Sequence, residues 1–505
     1  MAGLSIVPTP EVLAALGERL RSLNYTEEAA AAALDLPHLG MFFEQAHSLY
    51  RYSLLRAEPT LATLVRLFLV NDPVDTGEVI AALGKDLLIG LVRGGVMAVA
   101  EEGVVRCRYL LSPIDGAFIF TDRRFRAADD NIGRIMPLGH DTYNLVTQTQ
   151  KRPGGTVLDL GTGSGVQGVL AARWASRVVS VDINPRALDF ARMNAHLNGV
   201  FARMELHLGS LYDPVQGQRF DVILANPPFV PNPEYEVLFR DGGVQGEDIV
   251  HVILRDCPQH LEEGGILQMM TEIIYHDERG PVEKVREWSG DRLRGILFEQ
   301  DDDFLRIYAE EHVLRAAGEQ DTNTTLAERV RAYQQFLDSV GIWKITHMTL
   351  HLQPDSPPPD VPPETRTPVA TADVANLRAV GAERVARGLT NVLRVAEPGW
   401  LARLADHRAV FDPDLRFVAR WVPATGHALP SRAEFADGAP WRAAELEGWV
   451  FPLLRRLAEC ETLGDWVRQA PPLLDLPPAE AEPVLTNLLG DLVRSRWVSL
   501  VPPPT

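Results

Sequence analysis

A chain of 505 residues with 46% apolar and 23% charged side chains is too long for one ordinary core and too apolar for extensive disorder, which predicts two or three globular domains. Its formal charge of −19, from 49 basic and 68 acidic residues, repels polyanions at long range, so any nucleic-acid contact has to be a confined patch. Cys107, Cys257 and Cys460 are odd in number and far apart, against a disulfide framework or a zinc site. With no leader pattern in MAGLSIVPTPEVL and no run of about eighteen apolar residues, the expectation is a cytoplasmic protein with neither membrane anchor nor metal.

Amphipathic spacing predicts helices over Pro10 to Leu23, Thr26 to Ala33 and Leu61 to Val70. A further helix opens at Asp75 or Thr76 and runs to Leu83, and another lies near Lys85 to Arg93. After Gly94-Gly95 come two strand-like pieces, Val96 to Ala100 and Val104 to Leu111, joined by Glu101-Glu102-Gly103. Three short helices and a hairpin follow winged-helix order, which suggests a nucleic-acid-binding head; the third helix, GKDLLIGLVR, is mostly apolar and suits packing or protein contact at least as well. Arg123-Arg124-Phe125-Arg126 is a candidate basic-aromatic patch, against the plainer reading of solvated arginines beside a buried aromatic.

From Thr156 the pattern changes. Thr156 to Leu160, Val178 to Asp182, Met204 to Leu208, Phe220 to Leu224 and Gly265 to Thr271 read as strands with helical stretches between them, the signature of a parallel, doubly wound sheet. Leu293 to Glu299, a helix from Leu326 to Val340 and a strand from Trp343 to Leu352 complete it. In VLDLGTGSG, residues 157–165, a strand enters a glycine turn that opens a helix, so the backbone can approach a ligand that a Cβ would repel. Alone, that turn serves a dinucleotide, a sulfur-bearing nucleoside or no ligand at all. The next strand ends in Asp182, about twenty residues after the first glycine, where a carboxylate can accept from ribose hydroxyls. LANPPF then ends the fourth strand, and its two prolines hold Asn226 extended at the carboxyl edge where such sheets bind ligands.

Together with IMPLGHDTYNLV, VVSVDINPRALDFARMNAHLNG, RDGGVQGEDIVHVIL and LEEGGIL, these stretches resemble the class I S-adenosylmethionine-dependent methyltransferases of the amino-methylating branch, over roughly Ile132 to Leu352. That branch holds adenine-N6 nucleic-acid enzymes and release-factor glutamine enzymes. The resemblance implies S-adenosylmethionine (SAM) as cofactor. It places Asp159, Gly161, Gly163 and Gly165 at the methionine moiety with Thr162 in the same turn, Asp182 with Ile183 at the ribose, and Ser210 near the adenine, where many relatives carry an acid. It makes Asn226, Pro227, Pro228 and Phe229 the methyl-acceptor site, with Asn226 also facing the cofactor. The fold class that follows is α/β: a doubly wound, Rossmann-like methyltransferase sheet with an N-terminal winged-helix-like domain and a C-terminal, mainly helical domain. The expected boundaries are 1–130, 131–353, a proline-rich linker over 354–368, and 369–505.

The last region is rich in Ala, Arg and Leu, with a helix over Val484 to Val493 and a strand over Trp497 to Val501; Arg416-Phe417, Arg420-Trp421 and Arg494 with Arg496-Trp497 are further basic-aromatic candidates. His347 and His351 share one face of a strand, read as an edge, without a third metal ligand; Asp301-Asp302-Asp303 reads as a solvated turn; His140 and Asp141 lie where relatives place the lip of the site. Three functions compete. The first is methylation of an exocyclic amino nitrogen of a nucleobase in RNA or DNA. The second is methylation of a protein glutamine, which RDGG and the acidic charge favour. The third is a non-catalytic SAM-binding regulator, for which an intact NPPF would be superfluous.

Overall fold

Proline at the first turn starts α1 (Pro10–Ser22), and the Thr26 hydroxyl, accepting from the Ala29 N–H at 3.1 Å, caps α2 (Glu27–Ala33). After α3 (His47–Leu54), α4 (Pro59–Val65) continues into a five-residue π turn, Arg66–Val70, instead of running as one α-helix. The Asp75 carboxylate, at the end of β1 (Val74–Asp75), accepts from Gly77 and Glu78 at 2.7 and 3.3 Å and opens α5 (Thr76–Leu83), which α6 (Lys85–Arg93) follows. With β2 (Met97–Val99) and β3 (Val104–Cys107), β1 forms a small antiparallel sheet in the order β1-β3-β2. The strand expected to reach Leu111 stops at Cys107; Leu110 begins β4 (Leu110–Ile114), which pairs with β5 (Ala117–Thr121). Their turn is Asp115-Gly116, both at positive φ (42° and 70°), an Asp-Gly hairpin signal present in the sequence.

The structure, a computed structural model, describes residues 7–42, 47–100, 103–123, 133–233, 240–300, 305–316, 323–355, 369–373, 382, 400–412, 415–422, 427–435, 444–445, 450–474, 476–494 and 498–502. The chain divides into two compact units, one of Met1–Val146, Lys151–Thr271 and Arg306–Val340, the other of Thr147–Gln150, Glu272–Leu305 and Gly341–Thr505. No helix among the described residues is long and apolar enough to cross a membrane.

Beyond α7 (His140–Gln148), the first unit is built on β6 (Thr156–Leu160), α8 (Val166–Ala171), β7 (Arg177–Asp182), α9 (Pro185–Leu197), β8 (Met204–Leu208), β9 (Phe220–Ala225), α10 (Asp248–His260) and the start of β10 (Leu261–Tyr275). These strands are parallel and ordered β10-β9-β6-β7-β8. The chain first winds from β6 outward through β7 to β8, then returns to place β9 on the other side of β6. The strand order therefore reverses between β6 and β9, and a crevice opens at their carboxyl ends. β5 is fastened to this layer by α9: the Asn194 amide bonds both Phe120 backbone groups (2.7 and 2.9 Å) and the Ser164 carbonyl (2.8 Å), and the Asn198 amide bonds both Phe118 groups (2.9 and 2.7 Å).

Arg123 corrects the patch reading. It is 3% exposed, and its guanidinium donates to the carbonyls of Leu67, Phe68, Leu69 and Cys107 at 3.1–3.3 Å. Three of these carbonyls lie in the final π turn, where helical acceptors lack intrahelical partners, so this cation closes a helix end and is withheld from any phosphate. Arg124, Phe125, Arg126, Arg496 and Trp497 lie outside the described residues, as do the side chains of Arg416, Phe417, Arg420, Trp421 and Arg494, residues 301–303 and linker residues 356–368.

In the second unit, α11 (Pro281–Ser289) precedes β11 (Leu293–Gln300), which pairs antiparallel along its whole length with β12 (Lys344–Pro354) and parallel with β13 (Val369–Asp373). His351 corrects the edge-strand reading: it is fully buried and its ring bonds Gln148 Oε1 at 2.9 Å, while His347 stands 3.3 Å from Glu272. Among the described residues, the C-terminal part joins strands to the expected helices. β14 (Arg408–Phe411), β15 (Leu415–Val422), β16 (His427–Phe435), β17 (Ala444–Glu445) and β18 (Val498–Val501) form a β14-β18 pair and a β15-β16-β17 meander. The reason is composition: LRFVARWV, noted above only for its arginines, is dense in β-branched and aromatic residues that favour strands. Helices Val450–Glu459, Leu463–Gln469 and Pro478–Arg494 supply the buried core around Leu453, Trp466 and Leu485.

Candidate active site

The carboxyl ends of β6, β7 and β9 surround a cavity of about 210 Å³ in the first unit. The turn after β6 is fixed by its own backbone: Gly161 and Thr162 donate to the Val181 carbonyl at 2.9 and 3.0 Å, and Gly165 donates to Thr162 at 2.7 Å. Its glycines do different work. Gly161 and Gly163, at φ 66° and 53°, adopt the left-handed backbone that lets the turn border the cavity. Gly165, at φ 80°, stands back from the wall; a Cβ there would lie 2.7 Å from Ala191 Cα, so this glycine lets α8 pack on α9.

Asp159 and Asp182 are the two carboxylates of the cradle. Asp159 is 2% exposed; it accepts from the Thr162 hydroxyl and, at 3.0 Å, from the Gly168 N–H. Burial pushes its carboxyl up to about 6, against the lowering effect of those two bonds. Asp182 accepts from Gly163 and Asn184 N–H at 2.8 Å each, and burial raises its pKa as well. A carboxylate offers about four lone-pair positions, so Asp182 retains capacity for hydroxyl donors. Ile183 and Ser210 also border the cavity.

At the end of β9, Asn226 and Pro228 reach the cavity, while Pro227 and Phe229 are buried behind it. This loop is held by distant chain. Val230 donates to Arg240 O and Gly242 donates to Val230 O, both at 3.0 Å; Asn232 donates to Gly243 O at 3.0 Å; the Tyr333 hydroxyl, from α13 (Asn323–Ser339), which follows α12 (Leu305–Ala316), donates to Pro231 O at 2.7 Å. The glycines of RDGGVQG are explained by this contact: a Cβ on Gly242 would sit 2.8 Å from Phe229 Cα, and one on Gly246 2.4 Å from Phe229 O.

Several wall residues carried no assignment in the sequence reading. Arg134, Ile135, Met136 and Leu138 form one side, tied down where Ile135 donates to the Asp122 carboxylate (2.9 Å), which also pairs with Arg186, and where the Asn184 amide donates to Gly133 O (3.1 Å). From α7 the wall takes Thr142; His140 is exposed and Asp141 half-buried. Asp241, 1% exposed, and Gln167 also line it. The visible signals were a carboxylate inside RDGG and a polar residue in an otherwise apolar helix.

Residues 139–278 match the family model described as Methyltransferase small domain, and residues 45–107 match one described as a domain of unknown function, DUF7059. The chain is 36% identical over 211 residues to a release factor glutamine methyltransferase of Geobacter sulfurreducens, a match covering 37% of this chain and 72% of that protein. It is 34% identical over 160 residues to a release factor glutamine methyltransferase of Gloeobacter violaceus, covering 27% and 56%. It is 42% identical over 124 residues to a ribosomal protein uL3 glutamine methyltransferase of Bradyrhizobium diazoefficiens, covering 22% and 39%. Sheet, cradle and matches define a Rossmann-like, SAM-dependent methyltransferase, an enzyme and not a regulator that merely binds the cofactor. Within that class, the chain belongs to the family of the release factor glutamine methyltransferases.

Proposed function

We propose that the protein methylates the side-chain amide nitrogen of a glutamine in a protein of the translation apparatus. The observation that carries this reading is that Asn226 and Pro228, on either side of the buried Pro227, line the same cavity as Asp159, Gly161, Gly163 and Asp182. The relatives' names support glutamine over the nucleobase favoured in the sequence reading, and so do the charge of −19 and the burial of Arg123.

An amide nitrogen is a poor nucleophile because its lone pair is delocalised into the carbonyl. Asn226 Oδ1 and the Pro227 carbonyl accept its two N–H bonds and hold them out of conjugation, exposing the lone pair. SAM would supply the methyl group from its sulfonium, the N–C bond forming as the S–C bond breaks, with the thioether leaving and the methylated nitrogen giving up one proton to restore a neutral amide. The prolines fix the direction of the accepting groups, and burial of Phe229 anchors them. On the cofactor side, the polar groups suit SAM: the Asp182 carboxylate accepts from the ribose hydroxyls and Asp159 from the cationic amino group, and the Gly161 and Gly163 backbone takes the methionine chain.

The order α4-β1-α5-α6-β2-β3 supports a winged-helix-like head. With Leu88 and Leu91 of α6 buried and only Lys85 and Arg93 as its cations, this head suits contact with a protein better than reading of a groove. Incubation with methyl-labelled SAM and purified release factor, ribosomal proteins or total RNA tests the acceptor. The expected result is label in protein, mapped by mass spectrometry to a glutamine; label confined to RNA would overturn it.

A further inference from the structure

α8 is buried along its whole length, and five of its six residues, Val166, Gly168, Val169, Leu170 and Ala171, are apolar. The sixth, Gln167, is 6% exposed and borders the cofactor cavity, yet its Nε2 has no hydrogen-bond partner among the described residues. A buried amide donor left unpaired is costly, and a hydrocarbon of the same length would fill the space without that cost. The next residue, Gly168, donates its N–H to Asp159, so the backbone beside Gln167 meets the Asp159 end of the cavity that both side chains border. That end takes the amino-acid portion of the cofactor. Asp159 is an acceptor suited to the ammonium, whereas the α-carboxylate beside it needs a donor to offset its desolvation and its repulsion from Asp159.

We infer that the Gln167 carboxamide is a cofactor-specificity residue that donates to the α-carboxylate of the cofactor's amino-acid head. The inference rests on SAM occupying this cavity. It makes the site selective for adenosyl sulfonium and thioether ligands that keep the carboxylate.

Calorimetric titration of the full chain with S-adenosylhomocysteine, and with 5′-methylthioadenosine, which lacks the amino-acid head, tests it. Gln167→Met should weaken the first by about tenfold, the value of one hydrogen bond to a charged group, and leave the second within about twofold. Gln167→Glu, which keeps the shape and adds repulsion, should weaken the first further and again spare the second. Equal weakening of both ligands, or of neither, would overturn the inference. A wild-type protein that bound neither ligand would instead overturn the cofactor site itself, and this inference with it.

Discussion

The turn after β6 keeps its shape mainly from itself and the adjoining strand ends: its bonds come from residues 159–165, Val181 and Asp182, with one more from Asn194 of α9 to the Ser164 carbonyl. The loop after β9 takes its shape from Arg240, Gly242 and Gly243 and from Tyr333, 102 positions beyond Pro231. A cradle held by its own turn and the elements packed directly on it does not depend on the loop after β9. A clamp braced from far away can be loosened without touching the cofactor, so binding and chemistry should separate under mutation.

The largest separation should come from Asn226→Ala. Its loss of transition-state hydrogen bonding should lower kcat by about 100-fold or more, while SAM affinity measured by calorimetry stays within about threefold. A parallel loss of both would mean that loop and cradle are one structural element.

Asp159 probes the cradle alone. Its folded pKa of about 6 lies above the usual carboxylate value, so the folded state holds the extra proton between pH 4 and 6. Stability therefore falls as pH rises through that window and is level above it, a loss of about 3 kcal/mol at neutral pH. Chemical denaturation from pH 4 to 7 should show this slope in the wild type and a shallower one in Asp159→Asn.

Asp182→Ala should weaken SAM and S-adenosylhomocysteine alike by about 1.5–3 kcal/mol, with kcat at saturating SAM little changed. The smallest effect belongs to Tyr333→Phe. Removing one buried hydrogen bond costs about 1 kcal/mol of stability. It should lower kcat severalfold while leaving the SAM dissociation constant alone; unchanged kcat would show that the distant brace is dispensable.

This contrast also explains what was legible in the sequence. The cradle could be read because strand, glycine turn and terminal acid are consecutive or about twenty residues apart. The clamp could be read only as LANPPF: nothing local announces that Gly242 and Gly246 exist to admit Phe229, or that a tyrosine in α13 reaches Pro231. Arg123 misled because an arginine beside an aromatic looks alike on a surface and under a helix end, and only the fold brings four carbonyls to it. The β4-β5 hairpin is hidden in the sequence despite its Asp-Gly turn, because Val104 to Leu111 reads as one continuous strand-like run.

Asn194 and Asn198 carry one more consequence. Four residues of α-helix rise about 6.0 Å. Two residues of strand rise about 6.6 Å. The two amides on α9 therefore meet the outward-facing N–H and C=O groups of Phe118 and Phe120 nearly in step, and bond all four. A bare strand margin is a template for another chain to add itself. Here that margin is finished by side chains, so β5 presents no open ladder at these positions for intermolecular β-pairing while the hairpin is docked. Replacing both asparagines by alanine would restore the template, and with it a route to self-association that the folded enzyme otherwise lacks at this site.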